Sequence, residues 1–584
     1  MYLRETRRRN QDGTEVSYLA LAHNERDPGT GMPKARIIHN FGRADLVDRE
    51  GLARLVKSIS RFLDPADAIA ATATGEVAVL DARPMGAAWV ADRLWERLGI
   101  SKAITATVQR RPQGRGRRVD AAVVERVVFA MVANRLSPTP LSKLAGCAWV
   151  RDRVFIPGLA AVDEDACYRA MDVFLSVLAE LQEAVFFSVA NLLNLQVDIL
   201  FFDTTSTYWE TDAADDALLD DDEATDEGGR AVERAWRTRG HSKDHRPDLP
   251  QVVVGMAVTR EGVPVRVWTF PGDTSDQVLI RTVKDDLRSW NLNRVIWALD
   301  RGFTSAENRR YLQRAGGHYL IGEKLRGDNK EARAALGRQC RYHTVAGNLR
   351  VKEVRLDDGT ARDRFVVCHN PEAAERDAAV RARIVKRLGQ RIASSDALPA
   401  RQRAELAGAL KTKPAFNRFL RTTPGGLLRI DRAAVARDAH FDGKFLLRTS
   451  DETLTAADIA EGYKALYQAE RGWRDLKTTI DLRPVYHRRE DRIRAHVQLQ
   501  WLALLILRVA EIGVGDTWRN IRNELDRLHL VTLATAEGRV AQRSELTPGQ
   551  RAIFKALALP EPPRFYDFSP DQVVDSHTDL SGRR

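Results

Sequence analysis

Apolar positions in the first 75 residues alternate in two short stretches, 15–21 and 35–40, with Gly-containing turns between them. That period of two predicts a small β-containing arm, and a helix is predicted after it at 49–62. From 85 to 195 the apolar spacing becomes three and four, predicting helices at 86–98, 119–134, 140–147 and 164–193. The pattern changes again at 196–208, QVDILFFDTTSTY, whose β-branched and aromatic residues predict a strand. Strands are also predicted at 250–258 and 264–270, joined by a turn holding Glu261 and Gly262. A helix (276–290), a strand (294–299), a helix (305–314) and a strand (319–321) complete the order βββαβαβ. A three-strand meander followed by alternating elements implies an α/β mixed sheet with helices packed on it.

Past residue 325 runs a long segment with strand-like pieces at 349–356 and 364–368 and Arg/Lys-rich helices at 372–392 and 401–410. Thr455 and Asp458 have capping-box spacing and open a helix predicted to continue to 477. The most apolar helix centres on 501–507; its uninterrupted run is too short for a bilayer and reads as a buried core helix. The tail from 560, PEPPRFYDFSP at its start, is expected to be poorly ordered.

Length changes the picture little: 584 residues suffice for about three or four domains. With 44% hydrophobic and 29% charged residues, a largely disordered chain and a disulfide-stapled miniprotein are excluded. Charge says more. The surplus of 91 − 80 = +11 favours an anionic partner, most often nucleic acid. Residues 326–425 alone hold 22 Lys/Arg against 11 Asp/Glu, a local surplus equal to that of the whole chain. The stretch 109–118, QRRPQGRGRR, reads as a basic loop, either a solvated linker or a phosphate contact. The stretch 211–227 holds nine carboxylates and no base, and reads as a mobile acidic loop rather than a metal trap. Four dispersed cysteines without a CxxC pair suggest a reducing compartment, and the N-terminus lacks a secretory apolar region. A cytoplasmic protein without membrane attachment is expected.

Three acids stand out by position. Asp203 lies inside the first strand after Leu200-Phe201-Phe202, and Asp300 directly follows the strand ending at Leu299. Carboxylates at the ends of central strands face the crevice where α/β proteins bind ligands, although either Asp alone also fits a turn cap. A buried carboxylate needs a compensating cation or base. On the 455–477 helix, Tyr463, Glu470 and Lys477 are spaced by seven, which brings them to within about 20° of one face. A solvated face has the same spacing. Trp473 reads as a core residue more readily than as a base-stacking one, and His241 and His245 lie in a loop with no third metal ligand evident.

These residues resemble a known group. YKALYQAERGWRDLK (463–477) is similar to the Y-x2-R-x3-E-x6-K signature of DDE transposases of bacterial insertion sequences. FFDTTSTYWE resembles that group's first-Asp motif and VIWALDRGF its second. GHSKDHRPDLPQVVVGM and LRPVYHRREDRIRAHVQLQWLALLIL are also similar. The resemblance covers roughly 196–507.

It implies an RNase H-like core related to retroviral integrases, with Asp203, Asp300 and Glu470 as catalytic and metal-binding residues. They would hold two Mg²⁺ ions, with Mn²⁺ as a substitute. Tyr463 and Lys477 map onto DNA contacts. The signature Arg position is Leu466 here, so Arg474 or Arg471 is expected to supply that contact. Lys243 is expected to touch phosphate, and Arg488 and Arg489, with Arg492 and Arg494, to track the DNA backbone.

The second gap, 470 − 300 = 170 residues against 300 − 203 = 97 for the first, fits an insertion domain before the Glu helix. The expected organisation is an N-terminal arm (1–80), a helical DNA-binding region (81–195) with a helix-turn-helix at 119–147, and a first core part (196–325). A basic α+β insertion (326–445), a second core part (446–555) and the tail (556–584) follow. The implied activity is binding of terminal inverted repeats, end cleavage and strand transfer into target double-stranded DNA, by a dimer on DNA at the nucleoid. A nuclease or resolvase without strand transfer and a non-catalytic DNA-binding protein are the competing readings.

Overall fold

The computed structural model describes residues 1–570 except 10–14, 27–28, 30, 61–77, 112–118, 196, 212–213, 216–234, 291–294, 327–328, 358–361, 484, 486 and 536–537. Most of the basic loop at 109–118 and of the acidic run at 211–227 therefore lies outside the described residues. The chain divides into two units.

The first unit comprises 1–84, 528–546 and 561–584. It holds an antiparallel sheet of Tyr2–Arg9, Glu15–Arg26 and Pro33–Arg43, the helix Arg49–Ser60, and a four-stranded sheet. In the latter, Ala78–Pro84 pairs with His529–Thr535, which pairs with Gly538–Arg543, which pairs with Phe565–Pro570. Part of the tail expected to be poorly ordered is thus an edge strand. Its Pro-rich lead-in disguises it, because an edge strand needs backbone partners on one side only.

The second unit spans 85–527 and 547–560. Its centre is a nine-stranded mixed sheet. The strands are β1 (Ile199–Tyr208), β2 (Gln251–Val258), β3 (Pro264–Pro271), β4 (Ile296–Leu299), β5 (His318–Glu323), β6 (His343–Ala346), β7 (Leu349–Asp357), β8 (Arg362–His369) and β9 (Lys444–Thr449). Their order is β6-β7-β8-β9-β5-β4-β1-β2-β3. Only β1–β4 and β4–β5 are parallel pairs; the rest are antiparallel. The βββαβαβ order is present as read. The 326–445 segment contributes three strands to this same sheet instead of standing wholly apart. Its helices form a small core of their own around Leu388, Leu410, Phe419 and Leu428.

On the N-terminal side the helices include α1 (Ala121–Arg135), α2 (Lys143–Asp152), α3 (Glu164–Ser176) and α4 (Leu178–Leu193). The single helix expected over 164–193 is two, bent by 78° at Val177. The stretch expected to hold a helix-turn-helix, 119–147, contains α1 and the start of α2. Its first helix, α1, is buried on nearly every face against α3 and the long helix α8 (Glu490–Val514), because Val, Ala, Phe and Met occupy all its sides. α8 is long and apolar enough to cross a membrane by length and composition, and it is packed inside the unit. The other elements that position the site are α5 (Asp276–Arg288), α6 (Ala456–Lys464) and α7 (Tyr467–Thr478).

Candidate active site

β1 alternates its side chains across the sheet. Leu200 and Phe202 enter the core cluster that includes Ile280 and Val283 of α5, so Asp203 lies on the opposite face. β4 runs parallel to β1 with Phe202 opposite Leu299. Asp300 continues that register in extended conformation, φ −78° and ψ 174°. The two acids are therefore side by side at the C-terminal ends of neighbouring parallel strands. α7 packs on β1 and β2, and its close approach is possible because Gly472 has no side chain: a Cβ there would lie 2.6 Å from Met256 Cε. Glu470 occupies the first turn of α7, is exposed, and its carboxylate has no hydrogen-bond or ion-pair partner among the described residues.

The helix expected over 455–477 is broken. Backbone bonds between 465 and 469 run to residues three back, Ala465 N to Gly462 O at 3.0 Å and Gln468 N to Ala465 O at 2.9 Å. This tighter turn advances each residue by about 120° instead of about 100°, so the seven-residue spacing no longer places Tyr463 and Glu470 on one straight stripe. Leu466, standing where the signature has Arg, is buried in the break. Tyr463 still reaches the acids. Its hydroxyl donates to Asp300 Oδ1 at 3.5 Å and its ring stacks on Phe445. The hydroxyl lies against Gly322 of β5, where any side chain would overlap it. Burial, with the charges of Asp300 and Glu470 nearby, raises the Tyr463 phenol well above its ordinary value.

Burial pushes the Asp203 carboxyl up to about 6; Asp300 and Asp276 push the same way, and Lys243 opposes them. Lys243 reaches in from the 240–249 loop, its Nζ bonding the Thr204 carbonyl at 3.0 Å, the Thr204 hydroxyl, and Asp276 Oδ2 at 3.1 Å. The Thr204 hydroxyl donates to Asp276 Oδ1 at 2.6 Å. Negative charge thus outnumbers positive around Asp203, a site whose hard carboxylate oxygens suit a divalent cation. Among the described residues no three His, Cys, Asp or Glu side chains converge closely enough to hold one metal ion. Glu470 stands off from the Asp pair.

The remaining expected DNA contacts differ in their availability. Arg474 and Arg488 are exposed and have no ion pair among the described residues. Lys477 Nζ is bound to Asp244 at 2.7 Å, and Arg483 joins the same carboxylate at 3.3 Å, tying the 240–249 loop to the end of α7. Arg489 pairs with Asp491 at 2.7 Å, Arg492 with Asp172 at 2.8 Å and Arg494 with Glu490 at 3.2 Å. Arg471 is drawn into a clamp. It pairs with Glu511 at 2.7 Å, and the fully buried Arg508 holds both Glu511 at 2.7 Å and Asp475 at 2.8 Å. Trp473 is a core residue, 6% exposed.

Sequence reasoning missed Asp276 and the clamp. Asp276 opens α5 and looks like an ordinary first-turn acid; Arg508 lies in a run that otherwise reads as apolar.

The family model described as the transposase DDE domain matches residues 200–506, a stretch that contains all three candidate acids. The chain belongs to the DDE transposases. The model for the N-terminal domain of IS1634 family transposases matches residues 3–71, so this is a transposase of an insertion sequence and a metal-dependent DNA-processing enzyme. Among solved structures, the cryo-EM structure of a piggyBac transposase synaptic complex with hairpin DNA is similar at a TM-score of 0.32 and 8% identity, over 79% of this chain and 77% of that one. No curated protein matches the chain.

Proposed function

We propose that this transposase binds the terminal inverted repeats of its own element, cleaves DNA at those ends and joins them to target DNA at the nucleoid. Asp203, Asp300 and Glu470 are its catalytic carboxylates, in an RNase H-like core. The observation that carries the reading is the parallel β1–β4 pairing, with Asp203 and Asp300 in adjacent positions on the face where α7 packs. The order β3-β2-β1-β4-β5, with three antiparallel-linked strands and two parallel ones, suits such a core.

Asp203, Asp300 and Glu470 are the residues that would hold two Mg²⁺ ions, or Mn²⁺ in their place. Bound there, such ions supply Lewis acidity toward phosphorus and lower the pKa of an attacking water or 3′-hydroxyl. The chain's own groups prepare this. Lys243 offsets part of the acid charge, Tyr463 orients Asp300 through its hydroxyl, and the unpartnered Glu470 is free to close on the pair when DNA and metal arrive.

Arg474 and Arg488 are the readiest phosphate contacts, while Arg471, Lys477 and Arg489 must exchange a carboxylate for a phosphate. The helix Pro371–Ile392 adds a backbone track. Its Arg376, Arg383, Lys386, Arg387 and Arg391 are exposed and unpaired among the described residues. Two element ends acted on together call for a dimer on DNA.

The test is incubation of the full chain with Mg²⁺ and a supercoiled plasmid carrying the element ends, beside Asp203→Ala. End cleavage and joined products are expected from the wild type only. Absence of end-specific cleavage would sink the reading, and cleavage without joined products would make the protein a nuclease.

A further inference from the structure

The cavity between α1, α2 and α3 offers hydrogen-bond donors and no acid. Its polar lining is Asn134 and Arg135 at the end of α1, Ser142 and Lys143 at the start of α2, and Cys167 of α3, with apolar walls that include Met131. Asn134 is 4% exposed; its Oδ1 accepts from Leu141 N at 2.8 Å, and its Nδ2 donors have no partner. Arg135, 8% exposed, bonds the Leu141 carbonyl and makes no ion pair among the described residues. Lys143 Nζ meets the neutral acceptor His496 Nδ1 at 3.1 Å, in the tautomer whose Nε2 donates to the Leu482 carbonyl at 3.3 Å. An orphan amide and a guanidinium without an ion pair are costly to bury beside a helix N-terminus, and only Asp481, from outside the lining, faces that guanidinium. Burial brings Lys143 down to about 7 and Arg135 to about 10.

We propose that this cavity binds a small oxyanion, with the phosphate group as the fitting ligand, held by Asn134, Arg135 and Lys143. It comes either as free phosphate or as part of a DNA backbone. The site reaches the catalytic half of the unit. Asp481, Leu482 and His487 lie in the stretch between α7 and α8; Asp481 faces Arg135, His487 faces Lys143 and Arg135, and the Leu482 carbonyl bonds His496, so an occupied cavity fixes the segment that follows the Glu470 helix. The charged and titratable groups around Lys143 are Arg135 on α1, Cys147 on α2, Cys167 on α3, His496 on α8, and Asp481 and His487 before α8. Of these, Lys143 is the one poised to take up a proton when an anion arrives at pH 8.

The test is calorimetric titration of the full chain with inorganic phosphate at pH 8, without divalent metal, in buffers of different ionisation heat. One site with net proton uptake is expected. Lys143→Met and Asn134→Asp should each weaken binding by about tenfold or more, the first by removing a donor, the second by supplying an internal counter-charge. Asn134→Asp is isosteric and decides the matter if Lys143→Met does not fold. A wild type that gives no binding up to ~10 mM phosphate, or two variants that bind as tightly as wild type, overturns the proposal. A short duplex without terminal phosphates identifies the source: displacement of phosphate assigns the site to DNA backbone, and its absence assigns it to the free anion.

Discussion

Arg508 holds the Glu470 helix in place, and its removal should be costly in a calculable way. Its side chain is 1% exposed and makes two charge-assisted bonds, to Asp475 of α7 at 2.8 Å and to Glu511 of its own helix at 2.7 Å. In Arg508→Met the apolar volume is roughly kept, but two carboxylates are left with Arg471 alone, whose bond to Glu511 is 36% exposed on the Arg side. Breaking one side of a buried ionic cluster costs about 3–5 kcal/mol. Part of the lost charge balance is recovered by protonation, since burial already raises the Glu511 carboxyl. The expected loss is therefore about 3 kcal/mol at pH 8 and smaller at pH 5. Urea unfolding of the full chain, followed by tryptophan fluorescence and by far-UV circular dichroism, measures it. The triple variant Arg508→Met, Glu511→Gln, Asp475→Asn removes the buried charges of the cluster, leaving only the part-exposed Arg471, and should recover most of the loss. A single variant within about 1 kcal/mol of wild type, or a triple variant less stable than the single one, would refute the reasoning.

Asp203→Asn should stabilise the metal-free protein at pH 8 by about 1–3 kcal/mol. Burial holds the wild-type carboxyl at about 6 when folded, above its unfolded value, so its own contribution to stability is lost as pH rises between about 4 and 6; equal melting curves in EDTA at pH 8 would count against this. Gly322→Ala should displace the Tyr463 hydroxyl from Asp300, lowering stability by about 1–3 kcal/mol and slowing end cleavage, while Tyr463→Phe in the same background should restore part of the stability. Replacing Arg383, Lys386 and Arg387 together by Gln should weaken DNA binding uniformly across sequences. It should also reduce the slope of log K against log salt by about 0.9 per lost contact, as read by fluorescence anisotropy at several salt concentrations; an unchanged slope removes that helix from the interface.

The Asp positions and the chain order of strands and helices around them were legible because both follow from short local rules: strand periodicity and an acid at a strand's end. The proposed role of Glu470 rests on resemblance alone. Its helix was read as one straight rod, since nothing in ALYQA announces a tighter turn; the break depends on Leu466 being drawn into the core. The bend at Val177 was hidden likewise, with helix formers on both sides and tertiary packing deciding the angle. The clamp was illegible for a different reason. Asp475 and Arg508 are 33 residues apart, and pairing across that separation is fixed by how two helices dock, not by either helix's pattern. The same holds for Lys477 and Asp244, whose union depends on a loop 233 residues upstream.

The stitching of β9 between β8 and β5 has a consequence for the order in which the enzyme is made. β5 ends at Glu323 and its hydrogen-bonded neighbour β9 begins at Lys444. On the ribosome, the edge of β5 therefore waits open through the whole intervening stretch. Closing so long a loop is entropically costly, and α6 and α7 follow β9 directly in the chain. A nascent chain thus holds its two aspartates in a half-built sheet without Glu470, and any product truncated before β9 carries the first two acids but not the third. On the proposed assignment of the three acids, the site is complete only once α7 has been made, after the basic segment.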